Sequence, residues 1–358
     1  MKRFKPVHGK TWNAWLILGC TALLLSGCGD DAAAPAESGQ SPTPQATATA
    51  SPSAQPAVVN VDSNLPFRYP LTGLPTETDI KTRPYMVMVE NAPQARPQTG
   101  LDQADIVYEI LAEGEITRFV AVYQSHEAAT IGPVRSIRPY FVEIGDALDA
   151  VIVHAGWSQD AMAILAGRKL AHLDEVYGDG AYYWRSTDRK PPHNLYTSVD
   201  KIKQGAANHK FREEWNGPIL TFAKDGQSKL TGPAVTQISI PYIMGYVVSY
   251  AYDAADGTYK RSMDGKPHLD KETGKQLSAT NLLVLEAEHR ILDKEGRRDV
   301  DVFGPGKGQV FQQGKSQDVT WERKNGIIRV YADGKEIPLV PGTTWVQIVP
   351  KGTAVTAQ

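Results

Sequence analysis

The chain has 358 residues, with 38 Lys+Arg against 40 Asp+Glu, a net charge of −2. That balance excludes the basic footprint a nucleic-acid binder needs. The only cysteines are Cys20 and Cys28, so any thiol chemistry is confined to the start of the chain.

The first residues read as an export signal. Lys2, Arg3, Lys5 and Lys10 form a basic region, and Trp12 to Leu25 is mostly apolar. The apolar run falls short of the about 20 residues a membrane-spanning helix needs. Leu25-Ser26-Gly27-Cys28 closes it with small residues before a cysteine. This order predicts a lipoprotein signal over 1–27, cleavage before Cys28 and lipidation of its thiol. The mature chain would hold 34 Lys+Arg against 40 Asp+Glu, a net −6, with no disulfide, no thiolate metal site and no cysteine nucleophile. Residues 28–65 form a lipidated cysteine and tether. In 29–57 every residue except Asp30, Asp31 and Glu37 is Ala, Pro, Ser, Thr, Gln or Gly, too little apolar surface to order a chain. The expected location is the extracytoplasmic face of the cell membrane, with the membrane contacted through the lipid.

Beyond the tether, about 290 residues suffice for a core without disulfides and suggest two domains. Tyr85 to Glu90 (YMVMVE) reads as a strand. Asp105–Leu111 and Ile116–Gln124 read as two strands joined by a turn in which Gly114 supplies positive φ. Ser136 to Ala150 is expected to be helical, with Ile137, Phe141, Ile144 and Leu148 on one stripe and Ser136 as the cap. Ala150–His154 is a short buried strand, Ser158 caps a helix over Gln159–Ala166, and a third helix begins at Thr197 with Asp200 completing a capping box. Residues 66–216 thus form a mixed α/β domain, and 217–233 form a crossing segment. From 234 to 358 short strands alternate with Gly-containing turns, including Asp256-Gly257 and Asp333-Gly334. The fold class is α+β, a mixed α/β domain followed by a β-rich one.

The densest polar chemistry lies in the first domain. Arg135, Ser136 and Arg138 lead into a helix start, where free N–H groups favour an anion, and Arg118 comes from the preceding hairpin. His154 and Ser158 mark a second strand-loop-helix junction. Arg185, His193 and Asn194 come from YYWRSTDRKPPHN. The expectation is one loop cleft for an anionic or glycan ligand of the envelope, with Arg118, Arg135 and Arg138 holding the charge. The bland alternative is that the arginines pair with Glu109, Glu113 and Glu115 and brace loops. His154 or His193 with Glu109 or Glu113 could instead supply acid–base chemistry for a wall-polymer hydrolase or transferase.

Other motifs weaken under inspection. No tight ligand spacing points to a metal, and no cofactor is called for. Gly156-Trp157-Ser158-Gln159-Asp160 lacks the closing glycine of a nucleophile elbow, Ser198-Val-Asp-Lys201 has no companion motifs, and Gly304-Pro-Gly306-Lys307-Gly308 leads into a strand rather than a phosphate-binding helix. Tyr246, Tyr250, Tyr252 and Tyr259 suit cross-strand packing better than a sugar platform. A third role is a scaffold whose β-rich domain docks an envelope protein through an exposed apolar patch.

Several segments together carry a resemblance. Arg83-Pro84 with YMVMVENA, ARPQTGL at 95–101, ADIVYE at 104–109, GPVRSIRPYF at 132–141, HAGWS at 154–158 and PHNLYT at 192–197 resemble the YerB-like bacterial lipoprotein family over residues 70–350. The resemblance implies a two-domain, membrane-anchored protein of Gram-positive-type bacteria. It supplies no reaction, so no catalytic residue is carried over, and binding is favoured over catalysis.

Overall fold

The computed structural model describes residues 65–358 except Glu115, Ile243 and Met244. The signal, Cys28, most of the tether and Glu115 lie outside the described residues.

Three strands from the first half start a sheet: β1 (Tyr85–Glu90), β2 (Ile106–Leu111) and β3 (Thr117–Tyr123). Their runs are mostly apolar because both faces are covered, with Glu90, Glu109, Thr117 and Arg118 as the polar exceptions. α1 (Pro139–Ala147), β4 (Val151–His154), α2 (Gln159–Gly167) and β5 (His172–Asp174) follow, then α3 (Val199–Asn208). β1, β4 and β5 run parallel, with α2 as the crossover between the last two.

The second half contributes β6 (Gln237–Pro241), β7 (Val247–Asp253), β8 (Thr258–Met263), β9 (Lys266–Pro267), β10 (Ser278–Ala279), β11 (Asn281–Ala287), β12 (Gly306–Gln312), β13 (Lys315–Lys324), β14 (Ile327–Ala332), β15 (Lys335–Glu336), β16 (Thr344–Pro350) and β17 (Thr356–Ala357). Gly306 of Gly304–Gly308 thus opens a strand, and Asp333-Gly334 turns a hairpin with φ of 49° and 75°. The second half is β-rich, and the fold is mixed α+β.

One eleven-stranded sheet joins the halves, in the order β15-β14-β13-β12-β11-β16-β2-β3-β1-β4-β5. β16 is parallel to β11 on one side and to β2 on the other, so the late strand TWVQIVP lies between strands from both halves. A smaller sheet, β9-β8-β7-β6-β17 with β10 beside β8, packs on one face of it.

Side-chain alternation assigns the two faces. Met86, Met88, Val120 and Val122 meet Tyr140, Phe141 and Ile144 of α1 and Ala161 and Leu165 of α2. Val87, Val89, Phe119 and Ala121 meet Val199 and Ile202 of α3 and Ile240, Val248 and Tyr250 of the small sheet. Tyr250 and Tyr259 are buried and Tyr252 packs on Tyr259, so the tyrosines of β7 and β8 are packing residues.

Two helix starts differ from the sequence expectation. α1 begins three residues after Ser136, with Arg138 as an N-cap that makes no side-chain cap bond. Pro139 decides this: its ring bars the α conformation from the residue before it and suits the first helical position. α3 is capped by Ser198 rather than Thr197, its hydroxyl accepting from Lys201 N at 3.1 Å. Thr197 instead pairs with Ile131 through its backbone.

Candidate functional site

The carboxyl ends of β1, β4 and β5 carry a crown of loops on the side of α1 and α2, the end of a parallel sheet where ligands commonly bind. Glu90 ends β1 and stands opposite Arg118 of β3 in register. Both belong to the face of Met86 and Met88, so both point toward the helix side.

Two carboxylates organise the crown. Glu113 accepts from Arg118 Nη2 at 2.7 Å and also from Arg138 Nε. Burial pushes the Glu113 carboxyl up, but the two guanidinium groups outweigh it and hold it below the ordinary value. Arg118 also donates to the Ser136 carbonyl at 2.7 Å. Glu90 takes Arg135 on one oxygen, at 3.2 Å, and His193 Nδ1 on the other, at 3.0 Å. Arg135 keeps 29% of its side chain open, and among the described residues no hydrogen bond engages its two terminal amino groups. Arg185 donates to Glu175 at 3.0 Å and to Asn194 Oδ1 at 3.2 Å, while Asn194 donates to the Ser186 carbonyl at 2.7 Å.

The sequence candidates therefore separate. Arg118, Arg135, Arg138 and His193 share two carboxylates, with Arg185 and Asn194 tied together beside the Glu175 turn. Ser136 contributes its carbonyl as a brace. Ser158 spends its hydroxyl on the α2 cap, accepting from Ala161 N at 3.4 Å. His154 lies beneath the crown, fully buried. Its Nδ1 faces the Gly156 carbonyl at 3.1 Å, which can only accept, so Nδ1 donates and Nε2 faces His172 Nδ1 at 3.1 Å as the acceptor. Burial pushes His154 down to about 4, against the opposing pull of Asp174.

Glu90 was missing from the expected set. The signal available was a carboxylate closing an apolar strand in YMVMVE. The expected partners of the histidines, Glu109 and Glu113, meet neither ring.

Glu109 is instead part of a second polar cluster, sealed between the central and the small sheet. Its carboxylate lies 2.9 Å from Arg261 Nη2, both side chains wholly inaccessible. Thr117 and Asn91 donate to it at 2.8 and 3.2 Å. Arg261 donates to Tyr250 Oη at 2.7 Å and to His268 Nδ1 at 3.0 Å, and lies over the Trp345 ring at 4.9 Å. His268 completes the chain to Gln98 Oε1 at 2.8 Å. Burial, reinforced by Arg261 and Arg96, pushes His268 well below its ordinary value. Burial favours neutral Arg261, but Glu109, Tyr250 and Tyr242 together outweigh it and keep the charge.

Comparison with known proteins bears on both halves. Residues 71–212 match the family model described as "Protein of unknown function (DUF3048) N-terminal domain", and 238–346 match the corresponding C-terminal domain. The chain is 42% identical over 297 residues to "Putative lipoprotein YerB" of Bacillus subtilis (strain 168), covering 81% of this chain and 88% of that one. A crystal structure of the YerB protein from Bacillus subtilis superposes with a TM-score of 0.76 at 41% identity, covering 82% of this chain and 99% of that chain.

Proposed function

The chain belongs to the DUF3048 family, and we propose that it is a lipid-anchored protein of the extracytoplasmic membrane face that binds an anionic or glycan envelope ligand in the loop crown. The signal ending at Cys28 and the lipoprotein name of its relative support the anchor. Among the described residues no helix is long and apolar enough to cross a membrane.

One observation carries the binding reading: Arg135, ion-paired with Glu90 but making no side-chain hydrogen bond among the described residues, offers two unengaged amino groups beside Arg118 and Arg138. A guanidinium in that state presents a preset fork to a carboxylate or phosphate. Three arginines share two carboxylates, so one positive charge remains for a ligand. The test is binding of inorganic phosphate and solubilised wall glycan to the full-length chain. Arg135→Ala is expected to weaken binding about tenfold or more; equal affinity in the variant rejects the site.

The His193–Glu90 contact favours a second reading, a hydrolase or transferase of wall polymer. A carboxylate on Nδ1 fixes the ring so that Nε2 can take a proton, and His193 is 24% accessible. Release of fragments from purified wall by the parent chain, lost in His193→Ala and in Glu90→Gln, is the expected result; inactivity of the parent on wall polymer removes this reading.

A further inference from the structure

We propose that the crown ligand is an acidic sugar, its ring laid on Tyr177 and its carboxylate or phosphate held by Arg135. This rests on the binding reading of the crown and names its ligand class.

Tyr177 is 65% exposed and Val176 beside it 53%, an apolar pair turned to water. Their turn is fixed rather than loose. Asp174 Oδ1 accepts from Val176 N at 3.2 Å and from Gly156 N at 2.8 Å, and Asp174 N donates to Asp179 at 2.8 Å. Trp157 stacks under Tyr177, with ring centroids 4.9 Å apart and planes at 28°. Trp157 is itself packed against the helix-side core. The outer face of Tyr177 is thus a supported, flat, solvent-facing surface. The CH face of a pyranose complements the negative face of such a ring.

The aromatic pair adjoins the arginines. Ile137 and Trp157 form a parallel bridge. Ala155 N donates to the Arg135 carbonyl and Ile137 N to the Gly156 carbonyl, each at 3.0 Å, so the segments of Arg135–Arg138 and Ala155–Ser158 run side by side. Gly156 is where they meet the tyrosine turn. Its φ is +76°, and a Cβ there would lie 3.6 Å from Val176 Cγ2 and 3.9 Å from Ser136 Cβ. Arg185 closes the far side through Glu175, the residue before Val176. An apolar platform and an unengaged guanidinium on hydrogen-bonded neighbouring loops suit a ligand with a sugar ring and an acidic group. Neither a neutral sugar nor free phosphate uses both.

The experiment titrates full-length chain with three probes: a hyaluronan tetrasaccharide, the neutral tetramer of N-acetylglucosamine, and inorganic phosphate. The acidic tetrasaccharide is expected to bind tightest. Tyr177→Ala, at an exposed position that leaves folding intact, should weaken it about tenfold while phosphate binding stays unchanged, and Tyr177→Phe should retain it. Arg135→Ala should weaken both acidic probes. If Tyr177→Ala binds the acidic tetrasaccharide as well as the parent does, or if the neutral tetramer binds equally tightly, the acidic-sugar assignment falls while an Arg135-dependent site stands. If no probe binding depends on Arg135, the crown reading falls with it.

Discussion

Two of the arginine–carboxylate clusters among the described residues have opposite exposures. Arg261 and Glu109 are wholly inaccessible: Tyr250 and His268 engage Arg261, Thr117 and Asn91 engage Glu109 Oε1, and among the described residues Arg261 Nη2 and Glu109 Oε2 have only each other. Arg135, Arg138 and Arg118 use Glu90 and Glu113 in the loop crown at the strand ends, partly open to water, and Arg135 retains unengaged donors. The same chemistry serves different ends. A charge pair closed on all sides holds two sheets in one arrangement. A pair with spare donors at the surface has hydrogen-bonding capacity left over, which is what the proposed binding of an acid group would use. Burial, rather than residue type, separates the two.

The largest expected effect breaks the sealed cluster. Arg261→Met leaves Glu109 charged and unpaired in a dry interface, a loss of about 3–5 kcal/mol. Urea unfolding of the variant should show it. Adding Glu109→Leu should recover most of the loss, because two apolar residues no longer strand a charge. A double variant as unstable as the single one would mean that packing around Trp345, not charge, is what Arg261 provides.

A pH series sharpens the contrast next. His154 titrates near 6.5 when unfolded and is pushed to about 4 in the folded chain. Its folded value is depressed, so its stabilising contribution is complete above pH 6.5 and is lost as pH falls toward 4. In that window stability should decline by up to about 1.4 kcal/mol per pH unit. His268 is depressed in the same direction and adds to the slope. Thermal unfolding at stepped pH should show His154→Asn with a shallower decline than the parent; an identical slope would assign the effect to other groups.

A local cap provides a smaller step. Ser158→Ala removes the acceptor for Ala161 N and should cost about 1 kcal/mol in urea unfolding. An unchanged midpoint would mean that the Ile137–Gly156 loop contacts alone fix the α2 start.

These sites differ in how far the chain announced them. YMVMVE, IVYEIL and TRFVAVY read as strands because their signals are local and continuous. The cap at Ser158 was equally legible. At α1, the hydroxyl of Ser136 drew the start too early, while Pro139, three residues on, held the stronger steric constraint. The sealed cluster was invisible for a different reason. Glu109 interrupts an apolar strand, which marks an oddity, but Arg261 lies in TYKRSM, whose alternation resembles any half-buried strand. Only the packing of the small sheet on the central one brings them together. The same holds for β16: nothing in TWVQIVP indicates that it separates β11 from β2. His193 and Glu90 were likewise joined by the fold, since the loop returning after β5 sets one over the end of β1.

The smallest expected effect is the most discriminating one. Arg138→Ala removes one of two guanidinium groups from Glu113, and Arg118 remains at 2.7 Å. Glu113 keeps 25% of its side chain accessible, so water and Arg118 together can support its charge. The loss of stability should be no more than about 1 kcal/mol, as for pairs near a surface. It should lie well below that of Arg261→Met measured in the same urea series. If Arg138→Ala instead destabilises as strongly as Arg261→Met, the crown arginines are braces, and their spare donors no longer argue for a ligand. If the cost is small while affinity for phosphate drops, the crown cluster is kept for binding, which is the difference the two clusters' exposures imply.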